Sequence, residues 1–585
     1  MAVKLSRPLQ SDNQYGFKEN ITYLLGALQR HEAKKYCIDK KKTFFGCSLD
    51  GDSAFEVVCR KIQQRELYFA GEIGELTAYN EGSYQNTETR IKMNRKVSKP
   101  LKESLGVGQG NIRSRDHYKM YINPVLETLD RANLGVNIGP INAGISCVAD
   151  DLYLLSDDQT KLQGLIDICQ HYGQSYRITY GANKTVISVV GSATDMQYYE
   201  QIQPWRMDNL TVSVKENNDH LGLIVSGNKE EEKNVDLKVK KARGALFKLL
   251  GPAFSAKCLI SPRVQIHLFR TYICPIARCG LAAMALRTNQ ISPLTAFHRK
   301  VMRGFLHLSD SAPVPALYFL TGEIPIEARI HRDIFSLFYN ILNNPQSKIF
   351  SIVKYLLENS PVSSHTWSVH IKNLAKMYNI ESPLEMMSKE LPKKEAFKNN
   401  ITTKIIVFHE KQLRLRASTN SKMSYLNIAT KGLNGLPHPA LFDIQTTSSV
   451  QKMRPHIKML CGDYYTYQLK AKYQGGSPHC RLCPNQDIED IEHILTQCPE
   501  YEDVRQRIFN DIKNICDQSR SSICFEELVT EPKTLTQFIL DCSSLNLQYR
   551  INSSDEHCAS IFNLARDLCY SINKRRLQKL RKLKV

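Results

Sequence analysis

Hydrophobic residues recur along this chain at two spacings, and the balance between them changes near residue 230. In YKMYINPVLETLDRA, Tyr118, Tyr121, Ile122, Val125, Leu126 and Leu129 fall three or four residues apart, which is one face of a helix. DQTKLQGLIDICQHYG repeats the pattern with Leu162, Leu165, Ile166 and Cys169, and predicts a helix that stops at Gly173. AFEVVCRKIQQREL predicts another. Between these lie apolar runs of strand length: KKTFFGCSLD ending at Asp50, GISCV and LYLLS on either side of Asp150 and Asp151, then KTVISVVGS and HLGLIVSG.

Beyond residue 230 the helical spacing dominates. EEEKNVDLKVKKARGALFKLL opens a Lys/Arg-rich helical region that runs to about residue 345, with breaks at Pro252, Pro262, Pro275, Pro313 and Pro325. A weaker helical pattern continues to about 470. Residues 475–500 collect Cys and His, and the end of the chain, SINKRRLQKLRKLKV, carries seven Lys/Arg and no acid. There is no internal repeat and no extended low-complexity segment.

Composition narrows the partners. The 585 residues suffice for several domains, and 42% hydrophobic residues suffice for packed cores. No apolar run reaches the ~18 residues of a membrane span, and the first residues lack the apolar segment of a signal peptide. The 17 cysteines are scattered through a long chain and read as reduced and intracellular, so a cluster of them points to metal. A net charge of +20 and a pI near 9.1 point to a polyanionic partner, of which nucleic acid is the commonest.

The chemistry starts at VADD. Adjacent aspartates repel, so Asp150 and Asp151 either cap a solvated turn or hold a cation. A strand–turn–strand with acids at its tip projects carboxylates from a rigid base, and Mg²⁺ binds through one or two carboxylates plus substrate phosphates. Asp50, ending another apolar run, offers a third carboxylate.

In order along the chain stand NQYGFKEN, SLDGDSAFEVV, GVGQGNIRSRDHYKMYINPVLE, VADD, GANKT and HLGLIV. This order and spacing resemble the reverse transcriptases of non-LTR retrotransposons over about residues 10–227, and more loosely through a helical thumb and a C-terminal zinc segment. The resemblance implies an α+β fold: a right-hand polymerase palm, with an antiparallel sheet backed by helices, a helical thumb and a mostly helical C-terminal region. It implies partial fingers and palm over 1–228, thumb over 229–345, a helical connector over 346–470, a zinc-knuckle segment over 471–505 and a helical region with a basic tail over 506–585. It implies RNA-directed DNA synthesis from dNTPs on an RNA template and a DNA primer, with no membrane partner and with residence in nucleus and cytoplasm.

By the same resemblance, Asp50, Asp150 and Asp151 would hold two Mg²⁺, and the Gly51 carbonyl could add a ligand. Phe55 would select dNTPs over ribonucleotides. Gln109 and Gly110 would pack under the template and the incoming nucleotide, and Lys184 would stand near the phosphates. Leu221 and Gly222 would grip the primer end. Four positions depart from the family pattern: Glu56 for its usual Asp, Gly108 for Arg, Asn111 for Asp and Arg115 for Pro. None removes a metal ligand. About 13 residues precede Gln14, so a 5′-truncated element copy without most of the fingers and without an N-terminal endonuclease is expected. A catalytically inactive nucleic-acid-binding remnant is the alternative reading.

Cys480, Cys483, His493 and Cys498 give a C-x2-C-x9-H-x4-C spacing that suits a structural, tetrahedral Zn²⁺, with His479 as a rival ligand. Lys238, Lys240, Lys241 and Arg243 would face a primer–template duplex from the thumb helix. The tail from Lys574 to Lys584 would bind nucleic acid, serve as a nuclear localisation patch, or form a solvated face. No convincing nuclease pattern follows the zinc segment.

Overall fold

The computed structural model describes the chain outside residues 1–9, 20, 52–54, 109–110, 112, 182, 192–197, 200–203, 252–259, 429–431, 519–524, 546–555 and 584–585. Gln109, Gly110 and Pro252 therefore lie outside the described residues. The chain forms two compact units. The first comprises 1–235, 280–290 and 330–401; the second comprises 236–279, 291–329 and 402–585.

The first unit is built on a five-stranded sheet. Its strands are β1 (Phe44–Leu49), β8 (Ile145–Val148), β9 (Asp151–Ser156), β10 (Val186–Val190) and β13 (Ser213–Val214), in the order β13-β10-β1-β9-β8. All pairs are antiparallel except β10 with β13. Alternation along β1 sends Phe45, Cys47 and Leu49 to one face and Phe44 to the other. On the first face lie α4 (Ser114–Ala132) and α5 (Gln159–Tyr176), whose predicted apolar stripes are fully buried against the strands. At about 1.5–3 kcal/mol per large apolar side chain, the six stripe residues of α4 alone are a major share of this core's stability. Helix α1 (Leu24–Asp39) contributes Ala33 and Cys37 to the other face, with Ile352 and Leu356. Both faces being covered, the central strands read as continuous apolar runs rather than as alternating ones.

Helix α1 is buried on nearly every side, and its polar residues there are partnered. Lys34 donates to Glu230 at 2.5 Å, and Arg30 lies 2.7 Å from Nδ1 of His220. The Glu32 carboxylate accepts from the backbone N–H groups of Trp367 and Ser368, each at 2.8 Å, at the start of the helix Trp367–Met377.

Three sequence expectations are corrected. Of AFEVVCRKIQQREL, the described residues are helical only from Arg60, as α2 (Arg60–Phe69). The carbonyls of Phe55 and Val58 instead accept from Val107 and Gly106, which ties the segment to a neighbouring loop. Helix α5 runs three residues beyond Gly173, which is there for close approach: a Cβ would sit 2.4 Å from the Ile178 carbonyl oxygen. HLGLIVSG is not one strand. His220 ends β14 (Asn217–His220), Leu223 opens β15 (Leu223–Ser226), and Leu221 and Gly222 form the two-residue turn between them with φ of 54° and 70°.

In the remaining sequence, α6 (Glu230–Leu250) matches the predicted basic helix. Pro262 opens a helix, and Pro313 and Pro325 stand immediately before two others, the position at which a fixed φ and a missing N–H cost least. The second unit is helical around a small Cys/His loop and ends in the helix Glu556–Lys582. No helix among the described residues is long and apolar enough to cross a membrane. The fold is α+β and mostly helical, with one five-stranded sheet and several two-stranded ones among the described residues.

Candidate functional site

Three neighbouring strands bring Asp50, Asp151 and Lys184 into one row. Leu49 pairs with Leu152, so Asp50, one step on, is level with Asp151. Ser48 pairs with Val186, so Asp50 is level with Lys184 on its other side. The Lys184 ammonium lies 3.9 Å from Asp50 Oδ2, with the two side chains 55% and 50% exposed. Val148 pairs with Asp151, which leaves Ala149 and Asp150 as a two-residue turn at the same edge.

The acids repel as the sequence suggested. Partial burial raises the Asp150 carboxyl, and the charges of Asp50 and Glu56 raise it further. Partial burial, then Asp150 and Asp50, push Asp151 up to about 6. A carboxylate cluster that is hard to ionise is one that a divalent cation stabilises.

The turn carrying Asp150 is held from outside. Ala149 has φ of 60°, a strained value for a residue with a Cβ. The Gln14 side chain binds both its backbone groups, while Tyr15 N–H donates to the Cys147 carbonyl and Cys147 N–H to that of Asn13. Gly16 is required by contact: a Cβ there would lie 2.4 Å from the Ala149 nitrogen. Phe55 stacks on Tyr118 at 4.8 Å, with Phe17 edge-on at 6.4 Å. Gly51 is buried and bridges to Tyr180.

The remaining expected contacts are dispersed. Leu221 and Gly222 sit in the β14–β15 turn. On α6, Lys238 is buried at 4% exposure, whereas Lys240, Lys241 and Arg243 are exposed.

The second site is the Cys/His loop. Cys480, Cys483, His493 and Cys498 are all buried, and their ligand atoms lie within 4.8 Å of one another. Donors about 2.3 Å from a tetrahedral Zn²⁺ stand roughly 3.8 Å apart, so the set fits. The Cys483 sulfur is 3.6 Å from His493 Nε2, and the Asp487 carboxylate lies 3.7 Å from His493 Nδ1. Cys498 and His493 donate to the Cys480 sulfur and hold its thiol low, while the Cys498 thiol is pushed up. His479 is outside the set; it bonds the Gln486 carbonyl through Nδ1 at 2.6 Å. The buried Cys3His group can hold a metal such as zinc. The other described cysteines form no disulfide.

Sequence reasoning gave no role to Gln14 or Gly16, and missed Glu489 and Arg576. The Glu489 carboxylate accepts from Tyr467 N–H at 3.0 Å and from Arg576 at 2.5 Å, both side chains buried, and so ties the metal loop to the last helix. Arg575 pairs with Asp503, and Lys579 with Glu500. Three of the seven basic tail residues are thus engaged within the second unit. No sequence spacing links residues about 90 positions apart; only the fold does.

No protein-family model and no curated protein matches the chain. Among solved structures, it is similar to telomerase from Candida albicans in complex with a TWJ fragment of telomeric RNA, at a TM-score of 0.29 and 11% identity over 63% of this chain. It spans about half of that telomerase chain, 52%.

Proposed function

We propose that the chain is an RNA-directed DNA polymerase of non-LTR retrotransposon type, which extends a primer 3′-OH with dNTPs. One observation carries the reading: Asp50 follows β1 level with Asp151, which opens the neighbouring antiparallel strand β9, Asp150 stands in the turn beside them and Lys184 is on the other flank. The ordered motifs of the sequence supply the reaction class.

Asp50, Asp150 and Asp151 would hold the Mg²⁺ ions, which when bound activate the attacking hydroxyl and stabilise the leaving oxygen. The raised carboxyls fit that role, since the cluster holds more negative charge than its surroundings offset. Lys184 places a cation beside Asp50, where it can neutralise phosphate charge. Phe55, braced by Tyr118 and Phe17, forms an aromatic wall following the same strand, suited to exclude a ribose 2′-OH. Lys240, Lys241 and Arg243 offer exposed cations for phosphates. The zinc loop serves structure, not chemistry.

The test is primer extension on poly(rA)/oligo(dT) with Mg²⁺. Incorporation by the purified chain that is lost in Asp150→Ala supports the reading. No incorporation by the wild-type chain, with nucleic-acid binding retained, replaces it with a binding protein.

A further inference from the structure

Between α3 (Glu75–Tyr84) and α4 the chain forms a two-stranded ribbon. In it β2 (Glu88–Thr89) pairs with β5 (Leu101–Lys102), and β3 (Lys92–Met93) with β4 (Lys96–Val97). Asn94 and Arg95, with φ of 48° and 66°, form its tip, the primed turn that suits a twisted hairpin. The return strand carries one extra residue near Lys99 and Pro100, a bulge.

The base of this ribbon is clamped and its tip is free. The Arg60 guanidinium donates to the carbonyls of Gly106 and Glu103, both at 2.9 Å, and to the Thr87 hydroxyl at 2.8 Å, while stacking over Tyr84. Every residue from Glu88 to Val97 is exposed.

The ribbon is two-faced. Alternation puts Arg90 and Lys92 on one face, with Lys102 across from Glu88 on that same face. Ile91, Met93 and Leu101 are on the other, 59%, 71% and 53% exposed, and the pairing of Met93 with Lys96 puts Lys96 on that face too, as the pairing of Lys92 with Val97 puts Val97 on the basic one. From Arg90 to Lys102 there are six cations and no acid. None of the six pairs with a carboxylate among the described residues.

Lysines on an exposed strand edge can serve merely to block edge-to-edge pairing. That role needs one or two charges and gains nothing from a single sign. Six cations of one sign on a rigidly based arm create a field that a polyanion neutralises. A regular row of phosphates, released from its counterions, matches such an arm without base contacts.

We propose that the ribbon Glu88–Lys102 grips the backbone of a nucleic-acid duplex, its basic face on the phosphates and its apolar face against the sugars. This rests on the polymerase reading only for the kind of duplex, an RNA–DNA hybrid. The ribbon is then a binding surface separate from the carboxylates.

The test compares wild type with Arg90→Ala/Lys92→Ala/Lys102→Ala, the basic face, on a labelled RNA–DNA hybrid, by fluorescence anisotropy between about 50 and 200 mM salt. All three positions are exposed, so the fold is kept, and circular dichroism checks it. The slope of log affinity against log salt becomes shallower by about 3, and Kd rises about tenfold or more, because each lost phosphate contact removes about 0.9 from the slope. The charge-keeping variant Arg90→Lys/Lys92→Arg/Lys102→Arg binds as wild type does. An unchanged slope overturns the proposal, as does a variant that self-associates while binding the hybrid normally, which would make the cations edge protection. Wild-type protein with a ribbon-dependent slope but no nucleotide incorporation refutes the polymerase reading and leaves the ribbon. Incorporation with a ribbon-independent slope refutes the ribbon alone.

Discussion

The side-chain amide of Gln14 closes on both backbone polar groups of Ala149: its Nε2 donates to the Ala149 carbonyl at 3.1 Å, and the Ala149 N–H donates to its Oε1 at 2.9 Å. Gln14 and a turn 135 positions later thus form one unit, and Asp150 is the next residue. The clamp holds a left-handed alanine that would otherwise relax.

Removing the clamp separates activity from stability. Gln14→Ala leaves two half-buried backbone groups without their protein partner, at about 1 kcal/mol each. The midpoint of urea unfolding falls, and nucleotide incorporation falls further than the loss of folded protein explains, because Asp150 is no longer held in place. Incorporation that merely tracks the folded fraction would show the clamp to be structural only. Gly16→Ala acts in the same direction, through a Cβ driven against the Ala149 nitrogen.

Metal affinity at the carboxylates follows pH. Asp151 titrates at about 6, above its usual value, because of burial and of Asp150 and Asp50. A raised carboxyl favours the folded state when protonated, so this contribution is full below the unfolded value near 3.8 and is lost as pH rises through 6. Mg²⁺ should therefore raise the melting temperature at pH 7.5 and do little at pH 5. Asp151→Asn should stabilise the metal-free protein at pH 7.5 and abolish the Mg²⁺ effect. Calorimetry with and without Mg²⁺ checks both; an equal Mg²⁺ effect at the two pH values contradicts the assignment.

Glu32 makes a second, independent pH signature. Burial raises its carboxyl from 4.5 to about 7, against the donors at Trp367 and Ser368 that favour its charged form. Between these values the folded state keeps a proton that the unfolded state has lost. Stability therefore declines as pH rises from 4.5 through 7, by on the order of 3 kcal/mol. Glu32→Gln, which cannot ionise, should flatten that part of the stability–pH curve. A curve of unchanged slope in the variant would assign the dependence to other groups.

The Cys3His loop should carry one zinc per chain by elemental analysis. Cys480→Ser or Cys498→Ser should lose it, and chelation should lower the melting temperature of wild type but not of the variants. Because Glu489 joins the loop to Arg576, amide exchange in the helix Glu556–Lys582 should quicken when metal is removed. Full protection of that helix in the metal-free protein would show that the loop does not support it.

Some of this was readable from residue spacing alone. The stripe from Tyr118 to Leu129 needed only the helix period, and GISCV and LYLLS needed only strand length. C-x2-C-x9-H-x4-C specified a ligand set before any geometry was known, because neighbouring residues can reach one ion. The errors fell where a distant contact overrode local preference. The segment from Phe55 has helical spacing, but Val107 and Gly106 take its carbonyls. Gly173 looks like a stop, but it is the residue that lets Ile178 approach.

The sequence by itself determined which side chains carry charge, sulfur and apolar surface, and in what order, so it determined the elements and the chemistry available to them. Tertiary structure alone decided which of those side chains meet. Asp50, Asp151 and Lys184 share a row because antiparallel pairing fixes register across three strands. Gln14 reaches Ala149 because backbone bonds from Asn13 and Tyr15 to Cys147 lay that segment against the turn, and Glu489 reaches Arg576 because two buried charges have no water to turn to. VADD names two acids. The pairing of β1 with β9, and the clamp behind Ala149, make them a site.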